Sequence, residues 1–395
     1  MRKFRFIFLL VAVLLGTGAC MRVDDPQANL DIYIRFPDQS RTKADQDVAP
    51  DDIKETRIVD LRIWVFIHST DQSLNGRPLG FLAPTKLDYS GNAVNKFTIL
   101  LDKTLASQIS HADVYVLANA KSAGLDNKGD GLSPVKNGAD YKKWSELSVT
   151  DLDNLIISGN AFGIKKNTDE MTWGPTNTSV IDSEGLPFSA VGKGLEIGGA
   201  GSSHLSVETV ELVRAVSKVQ FVFSQIMDSQ NVKPAEFTIT GLKLSGDKLA
   251  EKEYIFPGNT YDGGYLENDL TFPVSTYTKE AIAGCLTPAA YVCQAGESAQ
   301  DYRDRIEAGI SNGVLTRGPL CYLRESDQQL EGEFSFNLAG EDDNTHITFK
   351  MADGETFSRN RSWIVYIFFM NDRMGISVRY FDDWKDGGQY GFETD

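Results

Sequence analysis

The sequence predicts an all-β protein built in two halves. Short apolar runs with a period of two recur along its 395 residues, clusters of Gly, Asn, Asp and Pro separate them, and one Gly/Ser-rich stretch divides them into patterned halves of similar size. Helical periodicity is scarce by comparison.

The elements follow in order. In LDIYIRF (residues 30–36), Leu30, Ile32, Ile34 and Phe36 share one face while Asp31, Tyr33 and Arg35 share the other, which predicts a one-sided strand. PDQSRTKADQDVAPDD (residues 37–52) holds almost no apolar residue apart from alanine and Val48, and reads as an exposed, flexible loop. In RIVDLRIWVFI, Leu61, Ile63, Val65 and Ile67 face one way and Asp60, Arg62, Trp64 and Phe66 the other. Further strands are expected in HADVYVLANA, KVQFVFSQ, EFTITGLKL, EFSFNL and RSWIVYIFFM, the last followed by GISVRYF across a hairpin loop over residues 371–375. WIVYIFFM is apolar on both faces, as a central strand covered on both sides would be.

Two stretches concern helices. LSVETVELVRAVSKVQFVF fits a helical face through Val210, Val213 and Val216 and a strand through Val219, Phe221 and Phe223; its β-branched content favours strand for most of it. SAQDYRDRIEAGISNG is the clearest helix: Ser298 can cap it, Asp301 sits at the capping-box position, Tyr302, Ile306 and Ile310 share a face, and Gly313 stops it. It is expected to pack across a sheet. EIGGAGSSHLS (residues 196–206) places the junction of the halves near Ser203, giving units of 44–203 and 204–395.

The N-terminus reads as a targeting segment. Arg2, Lys3 and Arg5 precede an uncharged run from Phe6 to Ala19, a basic then apolar order that marks a secretory signal over residues 1–19. At about 1.5 Å per residue the run covers roughly 21 Å, short of the roughly 30 Å hydrocarbon core. Thr17-Gly18-Ala19-Cys20 resembles a lipobox, although Thr17 stands where leucine is usual, so Cys20 is the expected acylation site of an outer-membrane lipoprotein. Several acyl chains anchor durably, since each buried methylene contributes about 0.8 kcal/mol. Asp24 and Asp25 resemble an acidic signal for export to the outer face, or form a plain acidic linker.

A formal net charge of −16 argues against a nucleic-acid partner, whose binding is carried by basic patches. Beyond Cys20, the cysteines Cys285, Cys293 and Cys321 form an odd set, from which one disulfide and one leftover thiol are expected. No catalytic residue is nominated: the histidines His68, His111, His204 and His346 lie in no recognisable catalytic motif, and GAGSSHLS lacks the serine flanked by glycines of a nucleophile elbow. DNKGDG (residues 126–131) starts like a calcium loop, but Lys128 occupies a ligand position, so a turn is expected. No metal or cofactor is called for. Trp64 and Trp363 lie in apolar strands and are expected in the core, whereas Trp144 and Trp173 lie in polar contexts where they could stack on a glycan.

Several stretches together carry a resemblance: IVDLRIWVF after a charged loop, VYVLANA, LPFSAVGKGLEI, ETVELVRAVSKVQFVFS, CYLRES and the closing ISVRYFDDW. In this order, after a lipoprotein signal, they resemble the fimbrillin family, subunits of type V pili in anaerobic Gram-negative bacteria, over most of residues 50–384. The resemblance implies two tandem transthyretin-like β-sandwich domains with few short helices, and a non-enzymatic structural subunit of a surface fimbria that contributes to adhesion. It further implies that residues 20–43 are a lipidated pro-segment carrying the first strand, and that a trypsin-like protease cuts after Arg41 or Lys43, with Arg57 a later and less exposed alternative. Removal of Leu30, Ile32, Ile34 and Phe36 with their strand would open a groove for a neighbouring subunit's strand. The implied donor is the C-terminal region, with Ile376, Val378, Tyr380, Phe381, Trp384, Tyr390 and Phe392 as anchors; alternatively, Ile376–Phe381 is the last strand of its own domain. Shaft, tip and unprocessed anchor roles all remain open, beside the rival of a lipid-anchored glycan-binding module.

Overall fold

Extended, β-branched and aromatic segments dominate the computed structural model, which describes residues 27–36, 57–85, 94–126, 128–129, 131–158, 166–167, 170–171, 185–199, 203–224, 237–258, 264–272, 275–277, 288–338, 345–351, 356–370, 373–382 and 389–391. The first half contains β1 (Gln27–Arg35), β2 (Leu61–His68), β3 (Pro78–Leu82), β4 (Val94–Asp102), β5 (His111–Ala118), the hairpin β6 (Leu132–Asn137) and β7 (Asp140–Lys143), β8 (Ile156–Ser158), the two-residue β9 (Lys166–Asn167) and β10 (Glu170–Met171), β11 (Phe188–Gly198), β12 (His204–Val207), β13 (Val210–Glu211) and β14 (Val213–Arg214). The second half contains β15 (Ser217–Ser224), β16 (Phe237–Leu244), β17 (Lys252–Tyr254), β18 (Leu270–Thr271), β19 (Ser275–Tyr277), β20 (Leu315–Leu323), β21 (Glu331–Leu338), β22 (Thr345–Lys350), β23 (Arg361–Met370), β24 (Arg373–Asp382) and β25 (Gln389–Gly391). The all-β class is therefore as the sequence predicts.

In the first half, β4 pairs with β1, and β1 pairs on its other edge with β12 and β13. A second set runs β3–β2–β5–β11, with β14 against β11. Strand β11 belongs to both sets. Phe188–Gly192 pair with β5, the register shifts between Gly192 and Leu195, and Ile197 and Gly198 pair with β12. Beyond the irregularity Leu195 and Glu196 still pair with Ala112 and His111 of β5, and only the end of the strand passes to β12. Across the resulting sandwich Ile99 of β4 rests on β3 at Gly80, where an added Cβ would lie 2.7 Å from the isoleucine Cγ2. Ala28, Leu30, Ile32 and Ile34 of β1 join Leu61, Ile63 and Val65 of β2 and Val114 and Val116 of β5 in one core. Strand β2 is buried on its other face too: Trp64 and Phe66 are covered by Tyr115, Trp144 and Phe256.

In the second half, β20–β15–β23–β24–β25 form one sheet, and β18–β16–β21–β22, with β19 on β16, form another. Phe221 and Phe223 of β15 and Trp363, Val365 and Ile367 of β23 face the second sheet through Leu242, Phe334 and Phe349. The opposite face of β23, Ile364 and Tyr366, is covered by Tyr302 and Ile306 of the helix Ala299–Ser311. Strand β23 is thus central and sheathed on both sides, and the helix crosses its sheet with Ser298 as cap, as the sequence implies. The turn into β24 is tighter than expected: Met370 pairs with Arg373 and Phe368 with Gly375, so the ladder takes up most of the anticipated loop.

The junction lies elsewhere than the sequence places it. Residues Gly199–Ser203 join β11 to β12, whose Ile197 and Val207 pair, and Leu205, Val207, Val210 and Leu212 are buried in the first core. The halves therefore meet at Val216–Ser217. A Gly/Ser-rich hairpin connection and a Gly/Ser-rich linker have the same composition, and only the ladder tells them apart.

A segment of the second half completes the first. Strand β17 pairs antiparallel with β8, the Ile255 N–H donates to the Leu155 carbonyl at 2.9 Å, and the Ser189 hydroxyl donates to the Ile255 carbonyl at 2.5 Å. Ile255 and Phe256 thereby enter the first core, with Phe256 edge-on to Tyr115 at 5.1 Å between ring centroids and to Trp64 at 6.5 Å. From the second half, Arg359 holds this segment: its guanidinium donates to the carbonyls of Tyr254 and Ile255, both at 2.8 Å, and pairs with Glu253 at 2.7 Å and Glu325 at 2.8 Å. The Glu253 carboxylate also accepts the Glu325 N–H at 2.9 Å.

Two outcomes follow from this seam. Phe256→Ala removes a ring wedged between two others and should lower stability by about 3–5 kcal/mol in chemical denaturation. Burial pushes the Glu253 carboxyl up to about 7, against the pull of Arg359 and with the help of the Glu325 charge. Its stabilising contribution is full below its ordinary value of 4.5 and fades as pH rises through about 7. Melting scans from pH 4.5 to 8 should therefore show a loss across that window that Glu253→Gln flattens.

Candidate functional site

The residues singled out at the N-terminus converge on one feature, the position of β1. Its alternation puts Ala28, Leu30, Ile32, Ile34 and, just beyond it, Phe36 into the core, the last at 4% exposure and the middle three at none. Each such side chain contributes about 1.5–3 kcal/mol by leaving water. The outward face is polar: the Asp31 carboxylate accepts from the Thr98 hydroxyl at 2.6 Å and lies 3.4 Å from the Lys96 ammonium, and Arg35 pairs with Glu211 at 3.9 Å in solvent.

The backbone of β1 is used on both edges. Against β4 it makes an antiparallel ladder of nine residue pairs, from Gln27–Asp102 to Arg35–Val94. On the other edge, Asn29–Asp31 run parallel to His204–Ser206, and Ile34 and Arg35 run parallel to Val210 and Glu211. Two further bonds close the ends: the Asn29 N–H donates to the Ser203 carbonyl at 2.9 Å and the Leu212 N–H to the Arg35 carbonyl at 3.0 Å. The slot around β1 thus has two walls of opposite polarity and a floor of core side chains. Its walls were not singled out from the sequence, yet VNKFTILLD carries the signal: Phe97, Ile99 and Leu101 alternate and stand opposite Ile32, Leu30 and Ala28.

The remaining sequence candidates are placed as follows. Cys20, Arg41 and Lys43 lie outside the described residues, as do Cys285, Trp173, Trp384 and Phe392. Arg57 is exposed, with its carbonyl accepting from the Asn119 side-chain amide at 2.7 Å. Ile376, Val378, Tyr380 and Phe381 lie on β24, which pairs along ten positions with β23 of its own sheet; β25, with Tyr390 opposite Val378, pairs with its other edge. This is the own-domain alternative that the sequence left open. Cys321 is a buried thiol in the second core, with burial pushing its ionisation up. Cys293 is buried near Val222 and Tyr366 under the helix Ala299–Ser311.

Trp64 and Trp363 are core residues, as expected, but Trp144 is not available for stacking on a glycan. It is 3% exposed, its carbonyl accepts the Trp64 indole N–H at 2.7 Å, and the Arg62 guanidinium covers its ring at 4.6 Å. The polar context that suggested a surface site belongs to its neighbours in sequence. In the calcium-loop-like stretch, Asp126 pairs with Arg62 at 2.7 Å, which commits its carboxylate. Among the described residues no group of three His, Cys, Asp or Glu side chains is placed to hold a metal ion. Of the histidines, His68 pairs with Asp113 at 2.9 Å, His111 with the Ser110 hydroxyl at 2.9 Å, and His346 with the Ser335 hydroxyl at 2.8 Å.

No family model matches the chain and no curated protein matches it. Solved structures that superpose on it include the tip fimbrial protein Mfa3 from Porphyromonas gingivalis with a C-terminal truncation, at 12% identity and TM-score 0.47 over 90% of this chain and 100% of that one. Others are a fimbrial assembly protein from Parabacteroides distasonis, at 11% identity and TM-score 0.40 over 89% and 94%, and the fimbrial anchor protein Mfa2 from Porphyromonas gingivalis, at 10% identity and TM-score 0.36 over 92% and 100%. These neighbours are fimbrial proteins, the kind that the sequence motifs resemble.

The energetic weight of the slot is testable directly. Ile32→Ala should destabilise the protein by about 2–5 kcal/mol in urea titration. Leu100→Ser, on the outward face of β4 where the leucine is 60% exposed, should stay within about 0.5 kcal/mol.

Proposed function

We propose that this chain is a subunit of a cell-surface fimbria, made as an outer-membrane lipoprotein precursor acylated at Cys20 and assembled by exchange of its first strand. The supporting observation is the setting of β1: a strand that fills a slot through two edges and an apolar face, joined to the next described residue only through residues 37–56, which carry Arg41 and Lys43. A cut after either basic residue separates β1, with the lipid, from the rest of the chain. An emptied slot leaves unpaired edges beside exposed apolar side chains, and an extended strand from another subunit restores both.

The partners in this reading are other fimbrial subunits and an Arg/Lys-specific trypsin-like protease, with the outer membrane holding the precursor before processing. The protein acts by polymerising and contributing to adhesion, and no catalytic residue is assigned. The donor is assigned to the C-terminal region. Donation of β24 itself would cost its ten residue pairs with β23, so the stretch that follows it is the cheaper segment to give away. Shaft and tip roles fit equally, and a chain that keeps its lipid would serve as anchor.

Sequencing the N-terminus of protein recovered from cells, together with protease treatment of the precursor, tests this. The expected results are a start at Thr42 or Ala44, a heat-resistant ladder on denaturing gels, and loss of both when Arg41 and Lys43 are changed to alanine. An acylated Cys20 start with a persistent monomer after protease treatment would exclude a polymerising subunit.

A further inference from the structure

The segment Val210–Val216 is shared between the strand slot and the junction of the two halves. Its first part belongs to the slot: among the described residues β13 pairs only with β1, and the Leu212 N–H bonds the Arg35 carbonyl. Val210 and Leu212 are buried in the same core as Ile34 and Phe36. Its second part belongs to the junction. The Arg214 N–H donates to the Asn360 side-chain oxygen at 3.2 Å, the Arg214 guanidinium reaches the same oxygen at 3.4 Å, and the Asn360 N–H donates to the Val216 carbonyl at 2.8 Å. Asn360 holds a left-handed backbone (φ 59°) just before β23, the central strand of the second half. The two parts meet in β14, a two-residue strand on β11, and the Ala215 N–H donates to the Pro187 carbonyl at 3.0 Å.

We propose that this segment makes occupancy of the strand slot and the tightness of the junction mutually dependent, so that a subunit whose slot is filled is stiffened where its halves meet. The inference rests on the reading that the slot changes occupants. With β1 in place, Val210–Leu212 are pinned, and the short β14 is anchored at both ends. With β1 gone, those residues lose their ladder and apolar cover, and the attachment to Asn360 frays from that side, held by β14 and the Ala215–Pro187 bond alone. Coupling of this kind is reciprocal: whatever loosens the Asn360 contact must also weaken the hold on β1.

The experiment uses the full chain with a recognition site for a protease foreign to it inserted between Pro37 and Asp52, so that it does not depend on how Arg41 or Lys43 are processed. After cutting, hydrogen exchange is compared with β1 retained and with β1 stripped. Leu212 should lose its protection on stripping, and Arg214–Val216 should exchange about fivefold faster or more. In the cut, filled protein, Asn360→Gly keeps the left-handed backbone but removes the acceptor, and should speed β1 dissociation by a similar factor, whereas Asn360→Asp, which keeps an oxygen there, should not. Unchanged exchange at Arg214–Val216, or a β1 dissociation rate indifferent to Asn360→Gly, overturns the proposal. Should the stripped protein unfold, the dissociation rates of the filled variants decide it alone.

Discussion

Backbone pairing at β1 is the constraint on which the first half depends. A buried ladder must satisfy its N–H and C=O groups, and here one strand serves two edges that do not otherwise meet. Strand β4 finds its partner in β1, and so do β12 and β13, while the core gains Leu30, Ile32 and Ile34 in the same act.

The second constraint is the seam. Ile255 and Phe256 are presented by the second half but packed in the first, so the first sandwich does not close its core unaided. Arg359 fixes the presenting segment through two carbonyls and two carboxylates at once. An ion pair as enclosed as Glu253–Arg359 adds little net stability, because desolvation offsets attraction, but it specifies geometry: a slip of the segment would leave a buried charge unpaired.

Much of this was legible in the sequence, and the failures have a common cause. The one-sided alternation of Leu30–Phe36, the two-sided burial of β23 and the capped helix Ala299–Ser311 were readable because each is decided by local pattern. The stretch near Ser203 does not separate the two cores, because Ile197 and Val207 on either side of it pair with each other, and pairing is not a local property. Trp144 was misread for the same reason. Its polar sequence neighbours say nothing of Arg62 and Trp64, which reach it from another strand. Nor could any spacing announce that Glu253 and Arg359, more than a hundred residues apart, would meet at the seam.

The walls of the slot also restrict what strand it can hold. A strand running in its direction lies antiparallel to β4 over nine pairs and parallel to β12 and β13 over five, three with the one and two with the other. Reversing the direction would make the long wall parallel and the short wall antiparallel. Antiparallel pairing is the more stable per residue, so the longer wall governs and the original direction is favoured. The floor restricts register as well, since a shift of one residue turns every apolar side chain outward. Direction and phase are thus written into the slot by the residues around it, through alternation more than through particular side chains.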